Sequence, residues 1–514
     1  MAAPRLGRIS RSVEPPLGPS TIPLDFSKAV RRFGTTGALL MALGALGAGA
    51  LPVPNPLFGL RVLSLPPRTV TLSIAVTYAG MVMLVLAWLW LGRLLRRGPE
   101  GPGLPVGQLT RTIALWALPL ALAPPMFSRD VYSYIAQSAI AARGLDPYEV
   151  GPGPALGLDD PLTLSIPTIW RDTPAPYGPL FLMLGRVITG LTGDDVVAAV
   201  FAHRFLAVVG LGLMVWALPR LARRFGVDPS AALWLGAANP LVLFHLVSGA
   251  HTEALMLGLM LVGLELGLSR SWLLGAIVIT LSAAVKLPSM LALGFLGMHM
   301  AREWGGRPRD VAKATGLLGG IAVSVLAFLG LVSGLGFGWI GTLGTANLIR
   351  SWMSLTTDLG QLGGGIGIVS GLGDHTDQVL ALTRAIGGAV AAAVVLWLLL
   401  ATLRGRVDPL TGLGMGLGAV VLLGPVVHPW YLLWAAIPLA ATAGWPRYRR
   451  AAVGASAIIA LLVPPTGADF AFRSFQLPLA IVAAAVILIV ALAFVYRLIP
   501  APRPPVVSHL DSPA

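Results

Sequence analysis

Apolar stretches recur along almost the whole chain, and the arginines and lysines gather in every second connection between them. Backbone polar groups in hydrocarbon must be satisfied within their own segment, so such stretches fold as helices. The composition agrees: 56% of residues are hydrophobic and 11% charged, against about 25% charged in soluble domains. The expected fold class is an all-α polytopic membrane protein.

The stretches lie at about 35–52, 69–92, 109–126, 196–219, 230–247, 251–268, 271–285, 287–300, 312–334, 378–403, 409–426, 430–444, 451–465 and 477–497. They predict about 13 to 14 transmembrane helices, several shorter than the ~20 residues of a straight span. With the basic N-terminus inside, the clusters Arg93 to Arg111, Arg220 to Arg224, Arg302 to Lys313, Arg404 with Arg406, and Arg447 to Arg450 all fall on the cytoplasmic side. The inner connections and tails hold 25 of the 36 basic side chains and nine of the 22 acids, leaving 11 basic against 13 acidic elsewhere. The net charge of +14 is thus a topology signal, and nucleic acid is not implied. Residues 1–34 and 498–514, rich in Pro, Gly and Arg, are expected to be cytoplasmic tails, disordered in the main. Residues 35–497 then form the membrane region of a multi-pass plasma-membrane protein, and the consistent alternation argues that the first stretch is an uncleaved anchor. No cysteine is present, which removes disulfide and thiolate chemistry.

Polar complexity concentrates on the opposite, extracytoplasmic side, in two long loops, 127–195 and 335–377. That organisation suits an enzyme whose site opens outward. In the first loop, helical spacing over 128–142 places Val131, Ile135 and Ile140 against Arg129, Ser133 and Gln137 and predicts a helix lying in the interface plane. Tyr177 to Thr189, too short to span, predicts a second.

Asp130, after Arg129 at the mouth of the third stretch, is the candidate catalytic base, its alternative role being an N-terminal cap. Asp194-Asp195 is fully explained by capping, and Asp159-Asp160 before Pro161 reads as a turn. Outward cations are few. Arg204 within the fourth stretch, Lys286 at a helix junction, Arg350 in the second loop and Arg384 within the tenth stretch are candidates for binding a phosphate, since embedded cations need an anion. His251 with Glu253, and His428 with Trp430 and Tyr431, occupy turns on the same side and, with Arg129 and Tyr132, offer the aromatic and polar mixture that sugars require. No histidine pair has the spacing of a helical metal site, so no metal ligands and no cofactor are assigned, a divalent ion staying open.

The segments Arg129-Asp130-Val131-Tyr132-Ser133-Tyr134, Gly144-Leu145-Asp146-Pro147-Tyr148, Tyr177-Gly178-Pro179-Leu180 and His428-Pro429-Trp430-Tyr431, in this order and topology, resemble the polyprenol-phosphomannose-dependent alpha-1,6-mannosyltransferases of actinobacteria, the MptA/MptB type of GT-C glycosyltransferase. The resemblance runs over about 30–497. It implies a GT-C fold with two interfacial helices in the first outer loop, a polyprenyl-phosphate mannose donor, a lipid-linked α-1,6-mannan acceptor as in lipomannan and lipoarabinomannan, and Asp130 as base. Many GT-C enzymes carry two adjacent acids there, whereas this chain has Arg129 before a single acid, which leaves a metal requirement unsupported. The rival readings are a GT-C transferase of another polyprenyl-phosphate sugar, such as arabinose, and a lipid-carrier flippase or transporter, for which the internal repeats expected of such folds are not found.

Overall fold

The computed structural model describes residues 24–95, 104–442, 444, 446–467 and 476–498. Among these the chain is helical throughout, without a strand. Each of the fourteen apolar stretches contains helix among its described residues, from Leu24–Ala48 to Gln476–Leu498. Four helices are long and apolar enough to cross a bilayer: Val70–Leu95, Val196–Arg224, Pro308–Ser333 and Thr376–Leu403. A fifth span results if Val242–Ser248 and Glu253–Ser269, bent by 110° at their junction, count as one. That is consistent with a polytopic membrane protein, at a lower count of self-sufficient spans than the stretches suggested. The difference has a local cause: Pro409–Leu423, Trp272–Ala283 and Leu432–Ala440 are short and bury themselves against other helices.

Three further departures have physical reasons. The first helix starts at Leu24 and buries Val30 and Phe33, so part of the expected tail is helical; the rest of both tails lies outside the described residues. Residues 230–247 break into Pro229–Leu235 and Val242–Ser248 around Asn239 and Pro240, and the Asn239 side chain donates to Leu235 O at 3.1 Å and to Ser456 Oγ at 2.8 Å. The second long loop contains a helix, Leu355–Val369. Its glycines, poor helix formers, hid it, yet Gly360 and Gly364 let it lie directly on Thr376–Leu403.

Close helix packing follows from small residues at the contacts. Leu24–Ala48 and Val70–Leu95 touch where a Cβ on Gly80 would sit 2.4 Å from Gly37 O. Deeper in the bundle, Trp88 and Trp234 stack at 5.1 Å and each indole donates to the other's backbone carbonyl, at 2.9 and 2.8 Å.

In the first long loop the two expected helices form as Asp130–Ala142 and Pro179–Thr192, packed on each other. The polar residues of the first do not form an open face. Ser133 and Gln137 are as buried as Val131, because Pro179–Thr192, Pro161–Ser165 and Val196–Arg224 cover it from several sides. Asp160 and Asp195 cap the helices that follow them, Asp195 accepting from Val197 N at 2.9 Å and Ala198 N at 3.0 Å.

Candidate active site

Asp130 opens the Asp130–Ala142 helix, but its carboxylate is not the cap: Arg129 holds that position and makes no side-chain capping bond. The Asp130 side chain faces a cavity of about 620 Å³. Glu253, Lys286, His428, Trp430 and Tyr431 line the same cavity, with Tyr134, Trp170, Tyr177 and Trp434.

Four separate connections deliver these groups. Glu253 begins the helix after the bent junction, where residues 249–252 are all buried. Lys286 stands between Trp272–Ala283 and Leu287–Met290. Its Nζ bonds directly to Glu253 Oε1, reaches the Tyr431 hydroxyl at 3.3 Å and lies 4.7 Å from the Tyr431 ring centroid. His428, Trp430 and Tyr431 come from the turn before Leu432–Ala440, their rings in mutual contact. Tyr177 is brought beside Lys286 by backbone bonds: Gly178 N donates to Val285 O at 3.1 Å and Leu180 N to Ala284 O at 3.0 Å.

His251 sits directly behind the cavity wall and is fully buried. Its Nδ1 is 3.2 Å from the Tyr134 hydroxyl, 3.7 Å from Asp130 Oδ2 and 4.0 Å from Glu253 Oε2, and its ring stacks on Trp430 at 3.8 Å. The imidazole's hydrogen-bond partner is the Tyr134 hydroxyl; the two carboxylates lie beyond hydrogen-bond reach of it on the cavity side. The backbone leading in is strained on both sides. Phe127 and Ala250, the non-glycine residues with left-handed φ of 68° and 55° among the described residues, stand three residues before Asp130 and one before His251. Such conformations cost about 1–2 kcal/mol each and persist where the surroundings impose them.

Burial raises the Asp130 carboxyl to about 6, and the negative charge of Glu253 adds to the rise. Lys286 and hydrogen bonds from the Ser128 and Trp170 side chains oppose it. Burial pulls the Lys286 ammonium down, but contact with Glu253 and Tyr431 more than offsets this, and the amine stays charged. The cavity therefore holds a lysine cation paired with Glu253 and a second carboxylate, Asp130, that can take up a proton near neutrality.

The other expected site residues go elsewhere. Arg204, which was expected to need an anion, is 1% exposed and donates to the carbonyls of Ala121 (3.2 Å), Ala123 and Ser248 (3.0 Å), satisfying the end of Val106–Leu122. Arg384 donates to Asn347 O at 2.7 Å and Ile349 O at 2.6 Å, and Arg350 pairs with Asp377 at 2.8 Å on the surface. Arg129 bonds Ser165 O at 2.8 Å and Leu51 O at 3.0 Å, and the Tyr132 hydroxyl bonds Ala50 O at 2.5 Å, so both anchor the loop rather than line this cavity. Among the described residues no three His, Asp or Glu side chains converge as metal ligands.

Tyr134 and Trp434 were missed, although each follows a named residue at helical spacing, Asp130 by four and Trp430 by four. Trp170, in a Pro-rich loop, carried no signal of its own. Gly178 is required by close approach: a Cβ there would lie 2.2 Å from Ala284 O. Gly178→Ala is expected to part Tyr177 from Lys286 and to lower turnover at least about tenfold, as ångström-scale misplacement does. Unchanged turnover in membranes containing equal protein would show that the contact yields without cost.

A half-buried acid and a lysine lining one cavity of a helical body, which also contains helices long and apolar enough to cross a bilayer, suit a membrane-embedded group-transfer enzyme. Residues 31–302 match the family model for the N-terminal domain of alpha-(1->6)-mannopyranosyltransferases of the MptA/B family, and 356–493 match the MptB C-terminal domain. The chain is 51% identical to the "Probable alpha-(1->6)-mannopyranosyltransferase" of Mycolicibacterium smegmatis, covering 93% of this chain and 90% of that one. It is 49% identical to an alpha-(1->6)-mannopyranosyltransferase of Mycobacterium tuberculosis, over 94% and 90%. Against alpha-(1->6)-mannopyranosyltransferase B of Corynebacterium glutamicum the identity is 39%, over 85% and 77%. No solved structure matches. The chain belongs to the MptA/B family and is a mannosyltransferase.

Proposed function

We propose that the protein moves mannose from a polyprenyl-phosphate donor to a lipid-anchored α-1,6-mannan, of the lipomannan and lipoarabinomannan type, on the extracytoplasmic face of the plasma membrane, within a GT-C fold. The observation that carries this reading is the shape of the Asp130 cavity. Its charged end holds Asp130, Tyr431 and Lys286 paired with Glu253, and its lining also includes Ala391, Ala392 and Val395 of Thr376–Leu403 and Leu417 and Val420 of Pro409–Leu423. That is a cation next to an apolar channel, the complement of a phosphate carried on an isoprenoid chain. Leu382, Ile386 and Leu396, on the same helix, are exposed, an apolar surface suited to lipid.

In this mechanism the phosphate oxygen leaves as the carbon–oxygen bond at the anomeric centre breaks, and Lys286 stabilises its growing charge. Polyprenyl phosphate is a good leaving group, so no general acid is required. Asp130 takes the proton of the attacking hydroxyl, and a single displacement inverts the anomeric carbon, giving an α product from a β donor. Sugar recognition falls to Trp170, Trp430, Tyr431 and His428 along the wall.

Membranes offered radiolabelled mannosyl-, arabinosyl- or glucosyl-phosphopolyprenol should label an α-mannoside acceptor from the mannosyl donor alone; labelling from another sugar instead would overturn the donor assignment. A pH series checks the base. With Asp130 near 6, kcat/KM should fall as pH drops through about 6, approaching tenfold per unit as the carboxylate protonates. Glu253→Gln removes a negative charge that raises Asp130, so the acidic limb of that profile should move to lower pH. A limb that stays in place would separate it from Asp130.

A further inference from the structure

Asp130 lines a second cavity. This one, of about 630 Å³, is bounded by Arg129, Thr168, Ile169, Arg171, Phe127 and Val53 among others, and Asp130 is the residue it shares with the Lys286 cavity among the described residues. The short Thr168–Arg171 helix is the partition. Trp170 faces the Lys286 cavity, while Ile169 and Arg171 on either side of it face the other. The partition is tied down: Arg171 donates to Ile166 O at 3.3 Å and Leu164 O at 3.2 Å, and the Thr173 hydroxyl to Ile169 O at 2.7 Å. Arg129 fixes the adjoining segment through Ser165 O and Leu51 O.

We propose that this second cavity is the acceptor subsite, holding a neutral sugar chain whose terminal primary hydroxyl meets Asp130 from the side away from Lys286. The assignment rests on the functional reading above and deepens it. Displacement at a tetrahedral carbon requires the nucleophile to arrive opposite the leaving group. The leaving phosphate is matched by Lys286 on one side of Asp130, and a nucleophile sharing that channel would have to pass it. Two cavities that both reach Asp130 remove the conflict: each substrate enters on its own side of the Thr168–Arg171 helix, and the reacting atoms meet at the carboxylate that both cavities share. The hydroxyl oxygen attacks the anomeric carbon, the carbon–oxygen bond to phosphate breaks with its electron pair leaving on phosphate, and the hydroxyl proton goes to Asp130. The lining suits a glycan: Phe127 and Ile169 offer apolar surface to C–H groups, and Thr168 offers a hydroxyl to ring and hydroxyl oxygens.

Thr168 and Ile169 are exposed, Ile169 by 46%, so bulk can be added there without entering the core. Thr168→Trp and Ile169→Trp, assayed in the full-length protein in membranes with octyl α-mannoside as acceptor, should each raise the acceptor KM about tenfold or more and leave the donor KM within about twofold. An unchanged acceptor KM in both variants at normal abundance overturns the assignment. So does a rise confined to the donor KM, which would give the cavity to the donor. A wild-type protein that transfers no mannose at all overturns the functional reading itself, and the two failures are thereby told apart.

Discussion

Asp130→Asn should lower transfer from mannosyl-phosphopolyprenol to an α-mannoside by about 10²- to 10⁴-fold, the range a positioned general base supplies, with protein abundance unchanged. Asn has nearly the same shape and keeps an acceptor oxygen for Ser128 and Trp170, but it cannot take a proton. The fold does not depend on the carboxylate. It caps no helix, its nearest charged neighbour of the same sign is Glu253, and removing its charge relieves a repulsion in a buried site. Loss of turnover with normal abundance is therefore a chemical effect, measurable as label transfer in membranes beside an immunoblot. Near wild-type turnover would remove Asp130 from the reaction, and with it the meaning given to both cavities it lines.

That carboxylate stands out in the sequence because of its position: an Arg-Asp pair at the mouth of an apolar stretch has few structural uses, and Asp130 does line a cavity. The side of the helical body was legible as well, since the alternation of basic connections placed Asp130, Glu253, Lys286 and His428 together, and they do line one cavity. What one-dimensional reading could not supply was the partner of each cation. Arg204 and Lys286 look alike in sequence, each a lone positive charge amid apolar residues. Arg204 donates to the Ala121 and Ala123 carbonyls left open before the Pro124-Pro125 break and to Ser248 O, and Lys286 pairs with Glu253, 33 residues earlier. Helix-end carbonyls are acceptors that no sequence pattern announces. The same blindness hid Leu355–Val369, whose glycines read as loop until a neighbouring helix gave them a reason to be small.

Lys286→Met should reduce kcat with donor by about 10²- to 10³-fold, the scale lost when one preorganised charge is removed from a developing anion. This variant alone is ambiguous, because it strands Glu253, a fully buried carboxylate whose Oε2 already has no hydrogen-bond partner among the described residues. Breaking a buried pair from one side costs about 3–5 kcal/mol, enough to unfold a marginal protein. Replacing both members does not carry that penalty, since neutral groups of similar volume often serve as well as a buried pair. The informative comparison is therefore Lys286→Met against Lys286→Met with Glu253→Gln. If the pair only holds the Trp272–Ala283 and Glu253–Ser269 ends together, the double variant regains abundance and activity alike. If Lys286 meets the phosphate, the double variant regains abundance and thermal stability in detergent while turnover stays at the level of the single one. Donor dependence separates the remaining possibility: a defect rescued by more acceptor but not by more donor would take Lys286 away from the leaving group and leave Tyr431 and His428 as the groups facing it.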